Sequence, residues 1–366
     1  MVPLLVLCSM AGRLEVSSAL DSAWVWPLPQ LFELSGAPVQ ISSDFRIQMS
    51  GMAAKQSRVV AAGALRYAKI IKNGMNTTMR HGRSASVAAQ QLTAITVSID
   101  SADEALNSRT CYNYTISMSS VTDSSQRTTI VANITAVSAF GALYGLESFA
   151  QLVNTAGWLP GSAIQLEDYP AYNYRGIMVD AGRRFWPLAL LKTVVDAMAG
   201  VKLNVLHLHF SDNCRVGVES LAFPNLTSRL RNGPGAGFLT QREVKELCEY
   251  ARLRGVRVLP EVELPGHAYH SLALPLGLDT CSTDGNFPGP VINGTNRSVA
   301  TLEKLVLEMA KLFPDEVGRL SLPQLTPRHL THPPNHEQII CCFDLIILRR
   351  IDLMVSGISH RWRRDS

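Results

Sequence analysis

From Tyr174 to Phe313 the chain alternates short apolar runs with segments of helical spacing, and this alternation restricts the fold more than any other feature. The runs YRGIMVDAG, KLNVLHLHFSD and VRVLPEVELPGH are typical of buried strands. The intervening segments PLALLKTVVDAMAG, TQREVKELCEYARLRG and SVATLEKLVLEMAKLF place apolar residues at helical spacing. Strand–helix units that follow one another in this order predict a parallel α/β sheet.

Local signals indicate where two of these helices begin and end. Thr240 and Glu243 have the spacing of a capping box, in which each side chain satisfies a backbone N–H of the first turn. Gly255 is expected just past the end of the same helix, because glycine readily adopts the left-handed conformation there. Pro314 is expected to stop the next helix.

Ionisable residues gather at the ends of the predicted strands: Arg175, Asp180, Arg183, His207, His209, Asp212, Glu261, Glu263 and His267. A (β/α)8 barrel keeps its active site at the carboxyl ends of its strands. A doubly wound sheet binds ligands at the same edge, but the sequence has no GxGxxG loop to support one. Each residue also has a structural alternative, as an ion pair, a packed histidine or a turn. The fold predicted for 166–314 is the first part of a TIM barrel.

The region 24–165 predicts a small α+β domain ahead of the barrel. QLTAITVSID (91–100) and RTTIVANITA (127–136) alternate apolar and polar residues like half-buried strands. FGALYGLESFAQLV (140–153) has helical spacing. The segment 157–173 is rich in Gly and Pro and is interpreted as a connection between the two domains.

Several features favour the secretory pathway. Residues 1–23 resemble a signal peptide, with a buried N-terminal segment as the alternative. Glycosylation sequons occur at Asn76, Asn113, Asn133, Asn225, Asn293 and Asn296. The most apolar late stretch, 339–358, contains four charged residues, so no membrane span is predicted. The 34 basic and 30 acidic residues are dispersed, so no nucleic-acid partner is expected.

Taken in order, these segments resemble glycoside hydrolase family 20, the β-N-acetylhexosaminidases. The resemblance is carried by YRGIMVDAGRRF, KLNVLHLHFSD, FPNL, YARLRGVRVLPEVELPGH and GPVIN, and VWPLPQ (25–30) resembles the start of the family's N-terminal domain. It extends from about residue 24 to 314. The resemblance implies removal of terminal N-acetylhexosamine from glycans without a cofactor or metal, a homodimer in the full-length family, and a vacuolar, lysosomal or extracellular location.

The resemblance also implies roles for individual residues. Arg175 would hold hydroxyls of the terminal sugar through its planar fork of donors. Asp212 would orient His267, and His267 would contact a glutamic acid on the next strand and tune its proton affinity. The family uses substrate-assisted catalysis, in which the acetamido oxygen of the substrate attacks the anomeric carbon. An aspartate steadies the acetamido nitrogen while the neighbouring glutamic acid protonates the leaving oxygen.

That Asp-Glu pair belongs to a His-X-Gly-Gly-Asp-Glu motif at the end of the fourth strand, and this sequence does not contain the motif. Asp315 and Glu316 are weak substitutes. The preceding helix is antiparallel to the strands, so its end lies at the bottom of the barrel, and a strand of about 5–6 residues must follow before the chain reaches the active face. The only strand-like stretch after the pair, VGRLSL, ends without a carboxylate.

Other departures from the family pattern are smaller. Leu208 replaces a usual Trp, Arg184 a usual His and Asn213 a usual second Asp. The segment 315–366 fits nothing in the family and is interpreted as a disordered or aberrant tail. The HLH motif also suggests a metal-dependent amidohydrolase-like barrel as an alternative. In such barrels, however, the motif lies on the first barrel strand and is followed by further metal ligands. The remaining alternative is a truncated product that binds sugar without turning it over.

We expect the transcript across the codons for residues 305–330 to decide the status of the tail. If the tail arises from a retained intron or a shifted frame, the message will continue from Pro314 into a strand that ends in Gly-Gly-Asp-Glu. Sequencing the message tests this. A message that encodes the tail as written would contradict the expectation and leave a protein without the family's acid and its acetamido-orienting aspartate.

Overall fold

Two separate sheets organise the chain in the computed structural model. Its description covers residues 25–79, 90–228, 230, 236–281, 291–314 and 319–321. One hydrophobic core extends from Val25 to Leu166 and a second from Val179 to Phe313. The predicted signal peptide, the pair Asp315–Glu316 and residues 322–366 lie outside the described residues.

The first unit is an α+β domain built on a mixed seven-stranded sheet with the order β1-β7-β4-β5-β3-β2-β6. Its elements are β1 Leu31–Ser35, β2 Val39–Ser50, α1 Gly51–Gln56, α2 Arg58–Met79, β3 Gln91–Ile99, β4 Tyr114–Thr122, β5 Thr128–Ala136, α3 Ala139–Leu152, β6 Trp158–Leu159 and β7 Ala163–Asp168. The predicted strands near 91–100 and 127–136 and the predicted helix at 140–153 are therefore present.

Helix α3 lies at the centre of this domain. Its sequence is apolar almost all round, and most of its side chains are buried, as expected for a helix covered on every side. Ser138 caps its N-terminus by accepting a hydrogen bond from the Gly141 N–H. Phe149 stacks on Phe45 of β2 at a ring-centroid distance of 5.9 Å. These contacts join the helix to the sheet.

The interpretation of 157–173 as a connection is wrong for residues 158–159 and 163–168, which form the strands β6 and β7. Residues 163–168 form β7, which pairs antiparallel with both β1 and β4. The alternation of buried Ile164, Leu166 and Asp168 with more exposed neighbours is a strand pattern that the flanking Gly and Pro residues obscured. The first unit thus continues to Asp168, past the predicted boundary at 165.

The second unit contains four parallel strands in the order β15-β12-β9-β8. Its elements are β8 Gly176–Asp180, α4 Leu188–Gly200, β9 Val205–His209, β10 Ser211–Asp212, β11 Arg215–Val216, α5 Asn225–Ser228, α6 Gln241–Arg252, β12 Arg257–Glu263, a π-helical turn Tyr269–Ala273, α7 Leu274–Leu276, β13 Thr280–Cys281, β14 Val291–Ile292, α8 Asn296–Leu312 and β15 Arg319–Ser321. This is the predicted first part of a (β/α)8 barrel.

The local signals of the sequence determine these elements. The capping box of α6 forms, with Thr240 and Glu243 each accepting a backbone hydrogen bond from the other residue. Gly255 has φ +75°, the left-handed conformation expected after a helix. Leu191 and Val195 of α4 are fully buried in the second core. Burial of such a side chain stabilises the fold by about 1.5–3 kcal/mol, so apolar patterning alone fixes which face each helix turns to the sheet.

The position of the fourth strand, β15, bears on whether Asp315 and Glu316 could act as the catalytic pair. β15 is the strand-like stretch predicted after that pair, and it aligns with β12 so that Arg319 is level with Glu261 and Ser321 with Glu263. The described strand carries no carboxylate. The pair precedes the strand in sequence, whereas residues of an active site at this fold's carboxyl edge follow their strands.

A buried polar network joins the two units at the amino-terminal edge of the parallel sheet. Lys202 follows α4, is 3% exposed, and places its Nζ 3.0 Å from Asp168 Oδ2 and 2.7 Å from the Tyr114 hydroxyl. The Tyr144 hydroxyl donates to the Lys202 carbonyl. Burial lowers the pKa of Lys202, and the Asp168 carboxylate opposes that shift. The ion pair is therefore what makes a lysine tolerable at this interface.

The predicted glycosylation sites differ in exposure. Among the described side chains, Asn113, Asn225 and Asn296 are exposed, whereas Asn133 and Asn293 are half-buried. Asn133 lies in β5 between β3 and β4, and the side chain of Asn76 lies outside the described residues. Across the described part of the chain, the helices are too short or too polar to cross a bilayer.

The interface network gives a stability prediction. Lys202→Met should destabilise the protein by about 3–5 kcal/mol, because it leaves Asp168 buried without its counter-ion. Lys192→Met is the matched control: its pair with Glu246 lies at the surface, and its loss should change stability by less than about 1 kcal/mol. Urea denaturation measures both. Equal effects of the two substitutions would show that the Lys202 pair does not hold the interface.

Candidate active site

The side chains at the carboxyl ends of β8, β9 and β12 form one group of alternating charge. We call the group the strand-end cluster, and its members are Asp180, Arg183, His209, Asp212, Glu263 and His267. In a strand, every second residue points to the same face. Asp180, His209 and Glu263 therefore all project from the face opposite the helices, while Leu208 and Val262 project into the helix-packed core.

The turn after β8 is built around Asp180. Its Oδ1 accepts hydrogen bonds from the backbone N–H groups of Gly182 and Arg183, both at 3.1 Å, and its Oδ2 lies 2.7 Å from Arg183 Nη1. Gly182 is needed because a Cβ there would lie 2.9–3.1 Å from the backbone of Ser211 and Asp212. Burial acts to raise the pKa of Asp180, but hydrogen bonds from Arg183 and His209 outweigh it and hold that pKa below its ordinary value.

Arg183 connects this turn to the end of the second strand. Its Nη2 lies 2.6 Å from Asp212 Oδ2, so two carboxylates on neighbouring strands hold one guanidinium. The Arg183 side chain is 56% exposed, whereas that of Asp212 is 7% exposed. A guanidinium has five N–H donors. The two carboxylates therefore fix its orientation while part of it remains accessible from the carboxyl edge of the sheet.

Asp212 also meets His267, as the resemblance implied. Their Oδ2 and Nδ1 atoms are 3.5 Å apart, which is an ion-pair distance rather than a short hydrogen bond. His267 has φ +51°, a left-handed conformation that costs a residue with a Cβ roughly 1 kcal/mol. The LPGH turn after β12 thus aims the imidazole back at β9. Asn213 accepts a hydrogen bond from the His270 N–H, which holds the π-helical turn against the same loop.

Each histidine of the HLH motif pairs with a glutamate of β12 that lies two residues beyond the residue level with that histidine. His207 Nε2 lies 2.5 Å from Glu261 Oε2, and both side chains are buried. His209 lies between two carboxylates, with Nδ1 3.1 Å from Asp180 Oδ1 and Nε2 3.3 Å from Glu263 Oε1. The Glu263 hydrogen bond raises the pKa of His209 to about 9, despite the opposing effect of burial and with further help from Asp180. His209 is accordingly a cation at neutral pH.

The arrangement is a poor metal site. Ligand atoms of His209, Asp212 and Glu263 lie within 4.8 Å of one another, a spacing that could hold an ion. However, a metal needs the lone pair of a neutral imidazole, and both ring nitrogens of His209 already face carboxylate oxygens of the protein. The Arg183 guanidinium already neutralises Asp212. The cluster is better described as a set of ion pairs than as the ligand set of an amidohydrolase-like barrel.

The sugar-binding role predicted for Arg175 stays a prediction, and the structure gives the position of this residue. Arg175 precedes β8 and so lies at the amino-terminal edge of the sheet, at the opposite end from the cluster. Its guanidinium donates to the carbonyls of Tyr172 and Lys202 and to the Tyr144 hydroxyl. These contacts assign Arg175 to the interface between the two units. Of the two arginines Arg175 and Arg183, which flank β8, Arg183 is the one at the carboxyl edge.

Two departures from the family pattern lie away from the cluster's contacts. Leu208 is fully buried on the helix-packed face of β9, so its replacement of a usual Trp affects core packing. Arg184 is exposed beside Arg183. The third departure, Asn213, keeps a polar contact through its Oδ1.

Comparison with known proteins agrees with this geometry. The sequence profile described as "Glycosyl hydrolase family 20, catalytic domain" matches residues 172–320, and that described as "beta-acetyl hexosaminidase like" matches residues 25–152. The chain belongs to glycoside hydrolase family 20. The two profiles cover most of both units of this family 20 chain, and the catalytic-domain profile contains every residue of the strand-end cluster.

Relatives span a wide range of organisms. The chain is 31% identical over 323 residues to the beta-hexosaminidase subunit alpha of Rattus norvegicus, a match that covers 84% of this chain and 60% of the relative. It is 26% identical over 343 residues to beta-hexosaminidase 1 of Arabidopsis thaliana, covering 87% and 59%. The chain therefore spans about 60% or less of the length of these curated family 20 relatives.

Solved structures show the same fold at lower identity. A chitobiase from Flavobacterium johnsoniae superposes with a TM-score of 0.69 at 19% identity, covering 91% of this chain and 51% of that one. A family 20 β-N-acetylhexosaminidase from Streptomyces coelicolor gives a TM-score of 0.64 at 22% identity, covering 91% and 64%. The predicted family 20 architecture, a small N-terminal domain followed by part of a TIM barrel, is confirmed.

The pKa of His209 gives a pH prediction. Because the pKa is raised from its ordinary 6.5 to about 9, the charged form stabilises the fold fully below about pH 6.5, and this contribution is lost as the pH rises through 9. The stability advantage of the wild type over His209→Gln should therefore shrink by about 3 kcal/mol between pH 6 and pH 10. Urea denaturation at each pH measures the difference, in which groups common to both proteins cancel. A difference that is independent of pH would mean that His209 is not a cation.

Proposed function

We propose that this chain carries part of the sugar-binding and proton-transfer apparatus of a β-N-acetylhexosaminidase that removes terminal N-acetylhexosamine from glycans. The observation that carries the proposal is the continuous contact from Arg183 through Asp212 to His267 at the carboxyl edge of a family 20 barrel segment. This edge is where barrels of this kind bind their substrates.

We propose that Arg183 contributes to sugar binding beside Arg175, whose role is implied by the family resemblance. The Arg183 guanidinium is fixed on one side by Asp180 and Asp212 and exposed on the other. A planar, permanently charged fork can donate to two adjacent hydroxyl oxygens at once, and a hydrogen bond from a charged donor contributes about 1.5–3 kcal/mol. This fits recognition of neighbouring hydroxyls on a terminal pyranose. Arg175 is half-buried, and its guanidinium donates to the carbonyls of Tyr172 and Lys202.

Proton transfer is assigned to the pair Asp212 and His267 as a supporting relay. Asp212 is nearly buried and pairs with Arg183, and its Oδ2 lies 3.5 Å from His267 Nδ1. A carboxylate that orients an imidazole fixes the tautomer and the direction of the second ring nitrogen. In the family, that nitrogen serves the glutamic acid that protonates the leaving oxygen.

The printed sequence does not supply that glutamic acid in the family motif. We therefore propose that these 366 residues bind N-acetylhexosamine but do not hydrolyse glycosides. Asp315 and Glu316 are the remaining candidates for the dyad, and their place before β15 argues against them. The secretory pathway and a homodimer of the full-length protein remain proposals, supported by the sequons and by the family resemblance.

Isothermal titration with N-acetylglucosamine tests the binding assignment. The wild type should bind, and Arg183→Ala should weaken binding about 10- to 100-fold, as expected for one lost charged hydrogen bond. Arg175→Lys is the matched variant, because it alters the arginine before the strand that Arg183 follows. If Arg183 alone holds the sugar, Arg175→Lys should lower the melting temperature and leave the affinity of the folded protein unchanged. No heat from the wild type would remove the proposal, and loss of binding in Arg175→Lys alone would assign the sugar to Arg175.

Turnover is measured separately with a chromogenic N-acetylglucosaminide. The wild type should release no more product than buffer, because no family acid is present. Release that Glu316→Gln abolishes, while Glu303→Gln on the outer surface of α8 does not, would show that Asp315 and Glu316 do form the dyad.

A further inference from the structure

The hydroxyl of Ser211 joins the two chain segments that carry Asp212 and His267. Its Oγ accepts a hydrogen bond of 2.7 Å from the backbone N–H of Glu263, and Ser211 is fully buried. Ser211 directly precedes Asp212, and Glu263 lies four residues before His267. The hydrogen bond therefore ties the backbone that leads into Asp212 to the backbone that leads into His267.

The backbone of β9 does not make this connection, because its regular ladder with β12 ends one step earlier. The last paired residues are His209 and Glu261, and the Phe210 N–H donates to the Glu261 carbonyl. Continuing this parallel register by two residues would place the Glu263 N–H opposite the Phe210 carbonyl. That carbonyl instead accepts a hydrogen bond of 2.6 Å from the Gly217 N–H, because the chain turns into the β10–β11 hairpin. The Glu263 N–H thus depends on a side chain for its acceptor.

Loss of the Ser211 hydroxyl would leave a buried donor without its acceptor. A buried backbone N–H that loses its partner retains the cost of its desolvation, so the end of β12 would move toward water or another acceptor. Three residues link Glu263 to His267, and the first of them, Leu264, is buried in the second core. So short a link transmits a displacement of the strand end to the imidazole.

The contact between Asp212 and His267 tolerates little displacement. Oδ2 of Asp212 and Nδ1 of His267 are 3.5 Å apart. A further separation of about 0.5 Å reaches the distance of about 4 Å beyond which two charged groups no longer form an ion pair. The placement of the β12 end is therefore decisive for this contact.

We propose that Ser211 is a positioning residue for the relay: its hydroxyl holds the end of β12 against β10 and so sets the separation between Asp212 and His267. Ser211 touches no substrate in this scheme and acts through the Glu263 backbone. The importance of that separation for proton transfer rests on the proposed function, whereas the hold of Ser211 on the position of His267 does not.

Three variants separate this role from a general effect on stability. Ser211→Ala removes the acceptor, and Ser211→Thr keeps a hydroxyl at the same position. Ser220→Ala is the matched control, because Ser220 is also buried in the second unit and its Oγ accepts a hydrogen bond of 3.0 Å from the Phe223 N–H. A general effect of losing a buried serine hydroxyl should appear in both alanine variants, and a positioning effect only in Ser211→Ala.

The first measurement is NMR-detected hydrogen exchange of the Glu263 N–H, expressed relative to the Leu259 N–H in the regular ladder of β12. Ser211→Ala should raise this ratio about tenfold, as expected for one lost hydrogen bond, whereas Ser220→Ala and Ser211→Thr should stay within about threefold of the wild type. A wild-type Glu263 N–H that exchanges as fast as one exposed to water would overturn the proposal, even if Ser211→Ala does not fold.

The second measurement reports on the relay itself. Nitrogen-15 NMR follows the Nδ1 signal of His267, with Asp212→Asn as the reference for an imidazole that has lost its carboxylate partner. Ser211→Ala should shift this signal toward its position in Asp212→Asn, and Ser211→Thr and Ser220→Ala should leave it at its wild-type position. A His267 signal that is the same in Ser211→Ala and in the wild type would overturn the proposal.

Calorimetry with N-acetylglucosamine decides the proposed function separately. If the wild type binds no sugar, the proposed function fails, while the exchange rates and the imidazole spectra still decide the role of Ser211. If the wild type binds sugar but the His267 signal does not respond to Ser211→Ala, the positioning role of Ser211 fails and the proposed function stands.

Discussion

Parallel pairing of β8, β9 and β12 is the constraint on which the rest of the site depends. Parallel strands bring their carboxyl ends to one edge, and the two-residue repeat of a strand turns Asp180, His209 and Glu263 to one face of that edge. Residues separated by more than eighty positions in sequence thereby come within ion-pair distance of a common neighbour. A shift of register by one residue would exchange these charged groups for Leu208 and Val262.

A cluster of charged side chains such as this contributes little net stability to a fold. Taking carboxylates and cations out of water opposes their mutual attraction, and replacing a buried ion pair by apolar side chains is often neutral or favourable for stability. The apolar core on the other face of the same strands, with Leu206, Leu208 and Val258, can supply the stability. The charged face is then understandable as a surface that orients a guanidinium and an imidazole, since only opposed charges at fixed distances hold both in one direction.

The sequence allowed much of this to be anticipated, and its failures have physical causes. The capping box at Thr240 and the stop at Pro314 are local signals, and local signals determine helix ends directly. β7 was missed because its pairing partners, β1 and β4, are distant in sequence, and a strand between turn residues resembles a loop until its partners are known. The role of Arg175 in sugar binding stays a prediction from the family resemblance. In the structure Arg175 precedes β8 and Arg183 follows it. The two carboxylate contacts of His209 could not have been predicted from spacing alone, because they depend on how far neighbouring strands are staggered.

The network around Lys202 and Arg175 lies at the end of the parallel sheet away from the strand-end cluster. The N-terminal unit therefore contacts the barrel segment at the amino-terminal edge of the parallel sheet. Its described residues make none of the contacts given above for the strand-end cluster. Inherited changes in the two networks would be expected to produce different cellular defects. A change in the network around Lys202 and Arg175 would reduce the amount of protein that survives quality control, since a loss of about 1–2 kcal/mol of stability is enough to alter abundance several-fold. A change at the carboxyl edge would, beyond any loss of stability, also impair what the remaining protein does.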